Sequence, residues 1–289
     1  MPELPEVEVI RRRLCEAVLD RTITRVRTTE ANYAFLTPPG VLRRRLLGHR
    51  FERIDRCGKY LLFRLENQSR LMIHLGMTGQ LLSNQASSPR LVQRSMRNLE
   101  GSGTNFQPDR HTHLSIAFDH SVDCLHFRDC RKFGKVSWIA AGESNPRLDR
   151  LGPDAARISA PELKAVLAGH RARIKPLLLD QSILAGIGNI YADESLHAAG
   201  ILPSRTADKL GSEEVGVLAR AIRGVLRRAI LLGGSSIDDY LHPDGSQGGF
   251  QRRFAVYGRQ GAPCGRCGAP IQRTVIAQRS AHFCRNCQR

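Results

Sequence analysis

The chain has 289 residues, 41% of them hydrophobic and 25% charged, enough for two domains with real cores. Its formal net charge of +17 and pI near 10.3 point to a polyanionic partner, either nucleic acid or an anionic surface. No apolar run approaches a membrane span, no charged-apolar-small leader opens the chain, and eight cysteines suggest thiols and metal in a reducing compartment.

The chain begins Met1-Pro2-Glu3-Leu4-Pro5-Glu6-Val7-Glu8. Removal of Met1 would free the secondary amine of Pro2, a nucleophile able to form a Schiff base, with Glu3 placed as general acid/base. Taken alone the stretch also reads as a Pro- and Glu-rich helix start. Val7, Ile10, Leu14 and Val18 then recur at helical spacing, with Arg11, Arg12 and Arg13 between them.

From Arg21 the texture turns to short strands: Thr22–Thr28, Phe51–Arg56, Tyr60–Leu65, Leu71–His74, His113–Phe118, Asp123–Phe127 and Val136–Ile139. Many short strands predict a β-sandwich or barrel, with Arg43–Arg45 on a helical patch. Lys59 follows Gly58 at the entry to an apolar strand, a plausible phosphate contact. His74-Leu75-Gly76-Met77-Thr78-Gly79-Gln80 and Arg128-Asp129-Cys130-Arg131-Lys132-Phe133-Gly134 read as turns that expose Met77 and Phe133. An apolar wedge beside arginine is a device for propping open a base stack; core packing is the competing reading for each residue alone. Between Leu82 and Arg110 lies a polar stretch expected to be a mobile loop.

Residues 143–158 read as a linker. It separates an N-terminal domain, 1–142, from a helical DNA-binding domain, 159–250, and a zinc finger, 251–289. Ser159-Ala160-Pro161-Glu162 predicts a capping box. A helical stretch from Ile174 leads to the turn Gly186-Ile187-Gly188-Asn189, then a helix over Ala192–Ala199 stopped by Gly200. Helix, Gly-rich turn, helix suits a phosphate, with Asn189 as a further donor. Ser212 is expected to cap a long helix ended by Gly233 and Gly234, and Asp244–Gly249 to form a flexible lid. Cys264-x2-Cys267 and Cys284-x2-Cys287 have the spacing of a closed four-thiolate site for one structural Zn2+. Residues 251–289 hold eight arginines and no acid, with Arg279 at the expected tip of a hairpin.

Together these stretches resemble bacterial formamidopyrimidine-DNA glycosylase. The resemblance rests on Met1–Glu8, Lys59-Tyr60-Leu61-Leu62, His74-Leu75-Gly76-Met77, Leu178-Leu179-Asp180-Gln181, Gly186–Glu194, and the cysteine tail with Ala277-Gln278-Arg279. It implies an α+β fold: a β-sandwich with a leading helix, then a helix–two-turns–helix domain with a C-terminal β-hairpin zinc finger. It further implies a monomeric enzyme of base excision repair, cytoplasmic and nucleoid-associated, that grips damaged double-stranded DNA in a basic cleft. Such an enzyme flips out an oxidised purine, attacks C1′ with Pro2, and proceeds by β- and δ-elimination. Carried over to this chain, Pro2, Glu3, Lys59 and Arg279 are catalytic, and Met77, Arg131 and Phe133 fill the void. His111, Arg131, His170, Lys175 and Asn189 contact DNA. Two departures stand out. Cys130 replaces the family's proline, which is expected to loosen the wedge, and the Met77-to-Arg131 spacing is long, with an insertion expected between Gln85 and Arg110. An endonuclease VIII-like enzyme acting on oxidised pyrimidines and a zinc-containing DNA-binding protein without chemistry are the competing readings.

Overall fold

A computed structural model describes every residue except 31–32, 89–105, 122 and 238. The chain forms two compact units. The first comprises Met1–Pro2, Glu6–Asn145 and Gly233–Gly248; the second comprises Glu3–Pro5, Pro146–Leu232 and Gly249–Arg289.

The first unit is built around two four-stranded antiparallel sheets. One holds β2 (Phe51–Cys57), β3 (Tyr60–Leu65), β4 (Arg70–His74) and β8 (Lys135–Ile139), in that order. The other runs β1 (Ile23–Thr28), β6 (Thr112–Phe118), β7 (Cys124–Arg128), β5 (Gln80–Leu82). Helix α1 (Leu4–Val18) and short α2 (Pro39–Leu46) complete it. Val7, Ile10, Leu14 and Val18 on α1 share one core with Phe51, Leu61, Phe63 and Leu71 of the first sheet and Leu81, Ile116 and Phe127 of the second. The sandwich forms because strand residues alternate onto this core while β3 is an almost unbroken apolar run. Truncating fully buried Phe63 to alanine would cost about 3–5 kcal/mol.

The second unit is helical: α3 (Pro146–Asp149), α4 (Ala160–Leu167), α5 (Ile174–Leu179), α6 (Asn189–Ala199) and α7 (Ser212–Leu231). The expected linker therefore contains a turn of helix, and Asp154 bridges to Ala185. At the predicted capping box the Ser159 hydroxyl accepts from Glu162 N, and Ser159 N donates to the Glu162 carboxylate. Gly200 ends α6 at φ +74°, a left-handed conformation that glycine adopts without a Cβ penalty. Helix α7 is capped by Gly211, not Ser212, which is the first helical residue; Glu214 receives the Gly211 N–H at 2.9 Å. Its stripe Val215, Leu218, Ile222, Val225, Leu226 and Ala229 is buried, as the 3.6-residue period requires. β9 (Gln272–Ile276) and β10 (Arg279–Phe283) form the C-terminal hairpin. No helix among the described residues is long and apolar enough to cross a membrane.

Candidate active site and nucleic-acid interface

Pro2 is buried at the start of α1, and Glu3 is 2% exposed. The Glu3 carboxylate accepts backbone N–H bonds from Gly188 (2.7 Å), Ile190 (3.0 Å) and Tyr191 (3.4 Å). It thus does for α6 what no Gly188 side chain can do: it places an anion on the free N–H groups of the helix N-terminus. A Cβ on Gly188 would lie 2.4 Å from Glu3 Cδ, so this approach requires glycine. Leu4 N donates to Gly186 O at 3.0 Å, and a Cβ on Gly186 would strike the Leu4 side chain. The residue after Pro2 is therefore fixed on both sides. The role of Gly186 and Gly188 as sockets for Glu3 and Leu4 is not visible in the sequence, because Glu3 and Gly188 lie 185 positions apart.

Lys59 sits in the β2–β3 turn beside Gly58 (φ +55°) and is 6% exposed. Glu8 orders this turn from α1. It binds Arg11 and Arg12 on its own helix and Arg56 on β2, and Arg56 donates to Gly58 O at 3.0 Å. Burial pushes the Glu8 carboxyl up, but the three guanidiniums outweigh it and hold it at about 2.

The two predicted turns meet. Asp129, 1% exposed, accepts from Thr78 Oγ1 (2.5 Å), Arg131 N (3.2 Å) and Gly134 N (2.7 Å). A Cβ on Gly76 would be 2.5 Å from the Phe133 carbonyl carbon, so glycine permits the close approach. Met77 and Phe133 stand 40% and 49% exposed, and the Arg131 guanidinium lies 5.1 Å from the Phe133 ring centroid. The structure thus brings the turns carrying Met77, Arg131 and Phe133 together at one surface. At Cys130, where loosening is expected, Asp129 closes the loop and Arg128 donates to Cys130 Sγ at 3.1 Å. Arg128 is itself locked to Asp109 at 2.8 Å. His111 follows Asp109, and its Nε2 accepts from Arg110 Nε. Burial lowers the His111 pKa, Asp109 opposing and Arg128 adding to the shift. Of the expected polar loop, residues 89–105 lie outside the described residues.

In the helical unit, Lys175, Asn189 and Arg279 converge on the zinc hairpin. Asn189 Nδ2 donates to Ser280 Oγ at 3.2 Å, while its Oδ1 is buried without a partner. Arg279 is exposed, the first residue after the turn at Ala277 (φ +46°) and Gln278 (φ +59°). Lys175, expected at the DNA backbone, has its ammonium on protein partners. It is fully buried, pairs with Asp193 at 2.5 Å and donates to Ser280 O. Burial pulls its pKa down and Asp193 opposes that. Asp193 also accepts from His282 N and Nδ1, so one buried carboxylate ties α5, α6 and β10 together. Its neighbour Glu194 receives the N–H groups of Ala255, Val256 and Tyr257 at 2.8–2.9 Å. His170, exposed just past α4, touches none of these groups in the contacts described. Asp129, Asp193 and Glu194 escape a sequence reading as anchors: Asp129 sits among Arg128, Arg131 and Lys132 like any surface acid, and only the pair Asp193-Glu194, within a largely apolar helix, offers a signal.

The four cysteine sulfurs Cys264, Cys267, Cys284 and Cys287 all lie within 4.8 Å of one another, with Sγ–Sγ distances of 3.9 and 3.4 Å for two pairs. Thiolates at about 2.3 Å from a tetrahedral Zn2+ stand about 3.8 Å apart, so the four residues fit one structural zinc ion with no open position.

The expected lid is not a free loop. Leu241 packs with Leu82, Ala86 and Phe106, Ser83 N donates to Pro243 O, Ser87 N to Asp244 O, and Arg13 pairs with Asp244 at 2.5 Å. Nearer the start of this segment, Ser235 N donates to Glu6 at 2.7 Å.

Family models match along the chain: the formamidopyrimidine-DNA glycosylase N-terminal domain over residues 1–136, its H2TH domain over 151–240, and a zinc finger found in FPG and IleRS over 261–289. Formamidopyrimidine-DNA glycosylase of Thermus thermophilus is 40% identical over 296 residues, covering 100% of this chain and 98% of the relative. The crystal structure of MutM (Fpg) from T. thermophilus superposes with a TM-score of 0.83 at 40% identity, covering 99% of this chain and 98% of that one. Lactococcus lactis Fpg in complex with DNA containing an abasic site gives 0.84 at 33% identity, with 99% of each chain covered. With three family models in order and full-length relatives at this identity, the chain belongs to the formamidopyrimidine-DNA glycosylase family.

Proposed function

We propose that this protein is a bifunctional DNA glycosylase and AP lyase of base excision repair, acting on double-stranded DNA that carries oxidised purines such as 8-oxoguanine and formamidopyrimidines. The observation that carries the reading is the fixed start of the chain, Pro2 buried next to a Glu3 locked on the N-terminus of α6. Such anchoring holds a terminal amine in attacking position, which proximity catalysis requires.

With Met1 removed, the Pro2 nitrogen attacks C1′ of the flipped nucleotide and the C1′–base bond breaks. Loss of the amine proton, followed by cleavage of the C1′–O4′ bond as O4′ takes up a proton, leaves a Schiff base between Pro2 and the opened sugar. Glu3 exchanges protons with the sugar and the amine. Abstraction of a C2′ proton then expels the 3′ phosphate, and a second elimination expels the 5′ phosphate, with Lys59 and Arg279 assisting. Met77, Arg131 and Phe133 occupy the vacated stack. Their placement over a rigid Asp129 base supports this. His111, His170, Asn189 and Arg131 contact the DNA backbone or the orphan base. Lys175 acts by holding Ser280, next to Arg279, in place. The functional domains follow the divisions 1–142, 159–250 and 251–289, the enzyme works as a monomer, and its compartment is the cytoplasm at the nucleoid.

Borohydride trapping tests the core of this reading. A duplex with 8-oxoguanine opposite cytosine should give a covalent adduct on Pro2, with Met1 absent by mass spectrometry. Pro2→Gly should abolish the adduct. A duplex with thymine glycol should react much less; the reverse preference would place the enzyme with the pyrimidine-specific branch, and tight binding without any adduct would leave only a DNA-binding protein.

A further inference from the structure

The helical unit contains a cavity of about 610 Å³ at the C-terminal ends of α6 and α7, next to the start of the zinc module. Its floor is apolar, built by buried Val225 and Phe250. Leu231 and Leu232 line the mouth, 74% and 43% exposed. Exposed leucines beside an apolar hollow are a poor arrangement for a surface that meets only water.

The rim is cationic. Arg228 and Arg253 are exposed and meet no carboxylate among the described residues. Arg259 is held by the carbonyls of Phe254, Ala255 and Pro263, and Arg266 by those of His197 and Ala198. Carbonyls orient a guanidinium without neutralising it, so both keep their charge in fixed positions. The one acid in the lining, Glu194, has both oxygens engaged by backbone N–H groups. None of this charge is needed for zinc ligation or for the site at Glu3. The cavity's α6 lining, Glu194, His197 and Ala198, lies about 8–14 Å along the helix from Asn189.

We propose that this cavity docks an acidic, extended segment of another protein, with one large apolar side chain of that segment seated on Val225 and Phe250 and its carboxylates paired with Arg228 and Arg253. Charge complementarity selects the occupant. A sugar–phosphate backbone would satisfy the arginines but offers nothing apolar for the floor and the two leucines. An uncharged apolar peptide would leave the four lining guanidiniums without an anion. Apolar core, arginine rim and a volume within the range of about 300–1,000 Å³ typical of ligand pockets match a peptide anchor. Because Asn189 does not line the cavity, a partner bound there leaves Asn189 open to DNA.

The test uses the full-length zinc-loaded protein and a fluorescein-labelled hexapeptide of four aspartates followed by leucine and phenylalanine. Polarisation should show saturable binding in the micromolar range. Arg228→Glu with Arg253→Glu should weaken it at least about tenfold, a change of about 1.4 kcal/mol. Replacing the leucine and phenylalanine by glycines should weaken it comparably, and an eight-nucleotide oligothymidylate should not displace it. Both arginines are exposed, so circular dichroism of the double variant should match the parent. The proposal fails if no saturable binding occurs up to about 1 mM, if the apolar pair makes no difference, or if the oligothymidylate competes, which would make the rim a nucleic-acid contact.

Discussion

The 129–134 loop of the sandwich unit and the 277–279 turn of the zinc hairpin both put an arginine at the surface beside left-handed backbone: Arg131 next to Lys132 (φ +65°), and Arg279 after Ala277 and Gln278. They are held differently. The first loop is closed by one buried carboxylate, Asp129, which gathers Thr78, Arg131 N and Gly134 N. The hairpin sits on a four-thiolate zinc site at its base and is tied to the helices by Asp193 at His282 and Lys175 at Ser280. The difference follows from what each unit can bury. The sandwich has a large apolar core under its loop, so one carboxylate suffices to shape it. The zinc module has a core of only a few residues, Val256, Ile271 and two of the cysteines among them, and cannot fold on apolar burial alone.

Metal removal should therefore separate the two regions most sharply. Structural zinc contributes on the order of 10 kcal/mol to small modules of this kind. Chelation, or Cys267→Ala, should unfold the hairpin, release Arg279 and lower DNA affinity by about 100-fold or more. Hydrogen exchange should show β9 and β10 losing protection while β3 and β4 keep theirs. Protection that survives chelation in β10 would mean that Asp193 and Lys175 hold the hairpin without the metal.

The converse change is Asp129→Ala. It leaves several buried donors unpaired, at about 2–4 kcal/mol in total. The 129–134 amides should exchange faster and strand cleavage should slow at unchanged zinc content. A normal rate in this variant would show that the wedge needs no fixed shape.

A third device, the turn carrying Lys59, depends on Glu8, and acid can probe it. The Glu8 carboxyl is held at about 2 in the folded protein against an ordinary 4.5. Its stabilisation is complete above about pH 4.5 and is lost as pH falls from there through about 2, because the unfolded chain takes up the proton first. Screening around the exposed Arg12 reduces the effect to about 1–2 kcal/mol. Glu8→Gln should lose that amount at pH 7 and show a flatter stability curve between pH 4.5 and 2, read by urea unfolding monitored at Trp138.

These contrasts also explain how far the residues can be read in advance. The cysteine knuckles are legible because tetrahedral ligation imposes a short local spacing, and the strands because side chains alternate on a two-residue period. Met77 and Phe133 are legible as exposed because each lies in a Gly-bearing turn. Glu3 is readable as a chemical group but not as the cap of α6, since nothing local links it to Gly188. Lys175 misleads: lysines are usually solvated, and only the fold brings Asp193 beside it. The closing contacts of the Cys130 loop are not legible either, because they run through Asp129 to Thr78 and Gly134.

The 241–248 segment gives the smallest expected effect. Its glycines and serines suggest a free lid, yet it is pinned, without metal, by a patch of four side chains, Leu82, Ala86, Phe106 and Leu241, by the hydrogen bonds Ser83 N to Pro243 O and Ser87 N to Asp244 O, and by the Arg13–Asp244 pair. Leu241 is the segment's one side chain in that patch, worth about 1.5–3 kcal/mol, and the exposed ion pair adds little, so the attachment is local. Leu241→Ala should detach the segment without lowering global stability measurably. Amides near Ser246 should then lose most of their protection in the DNA-free protein, and KM should rise more than kcat falls, because ordering the segment becomes part of substrate binding. If exchange near Ser246 is already fast in the parent protein, the patch does not hold the segment and the contrast with the other two loops disappears.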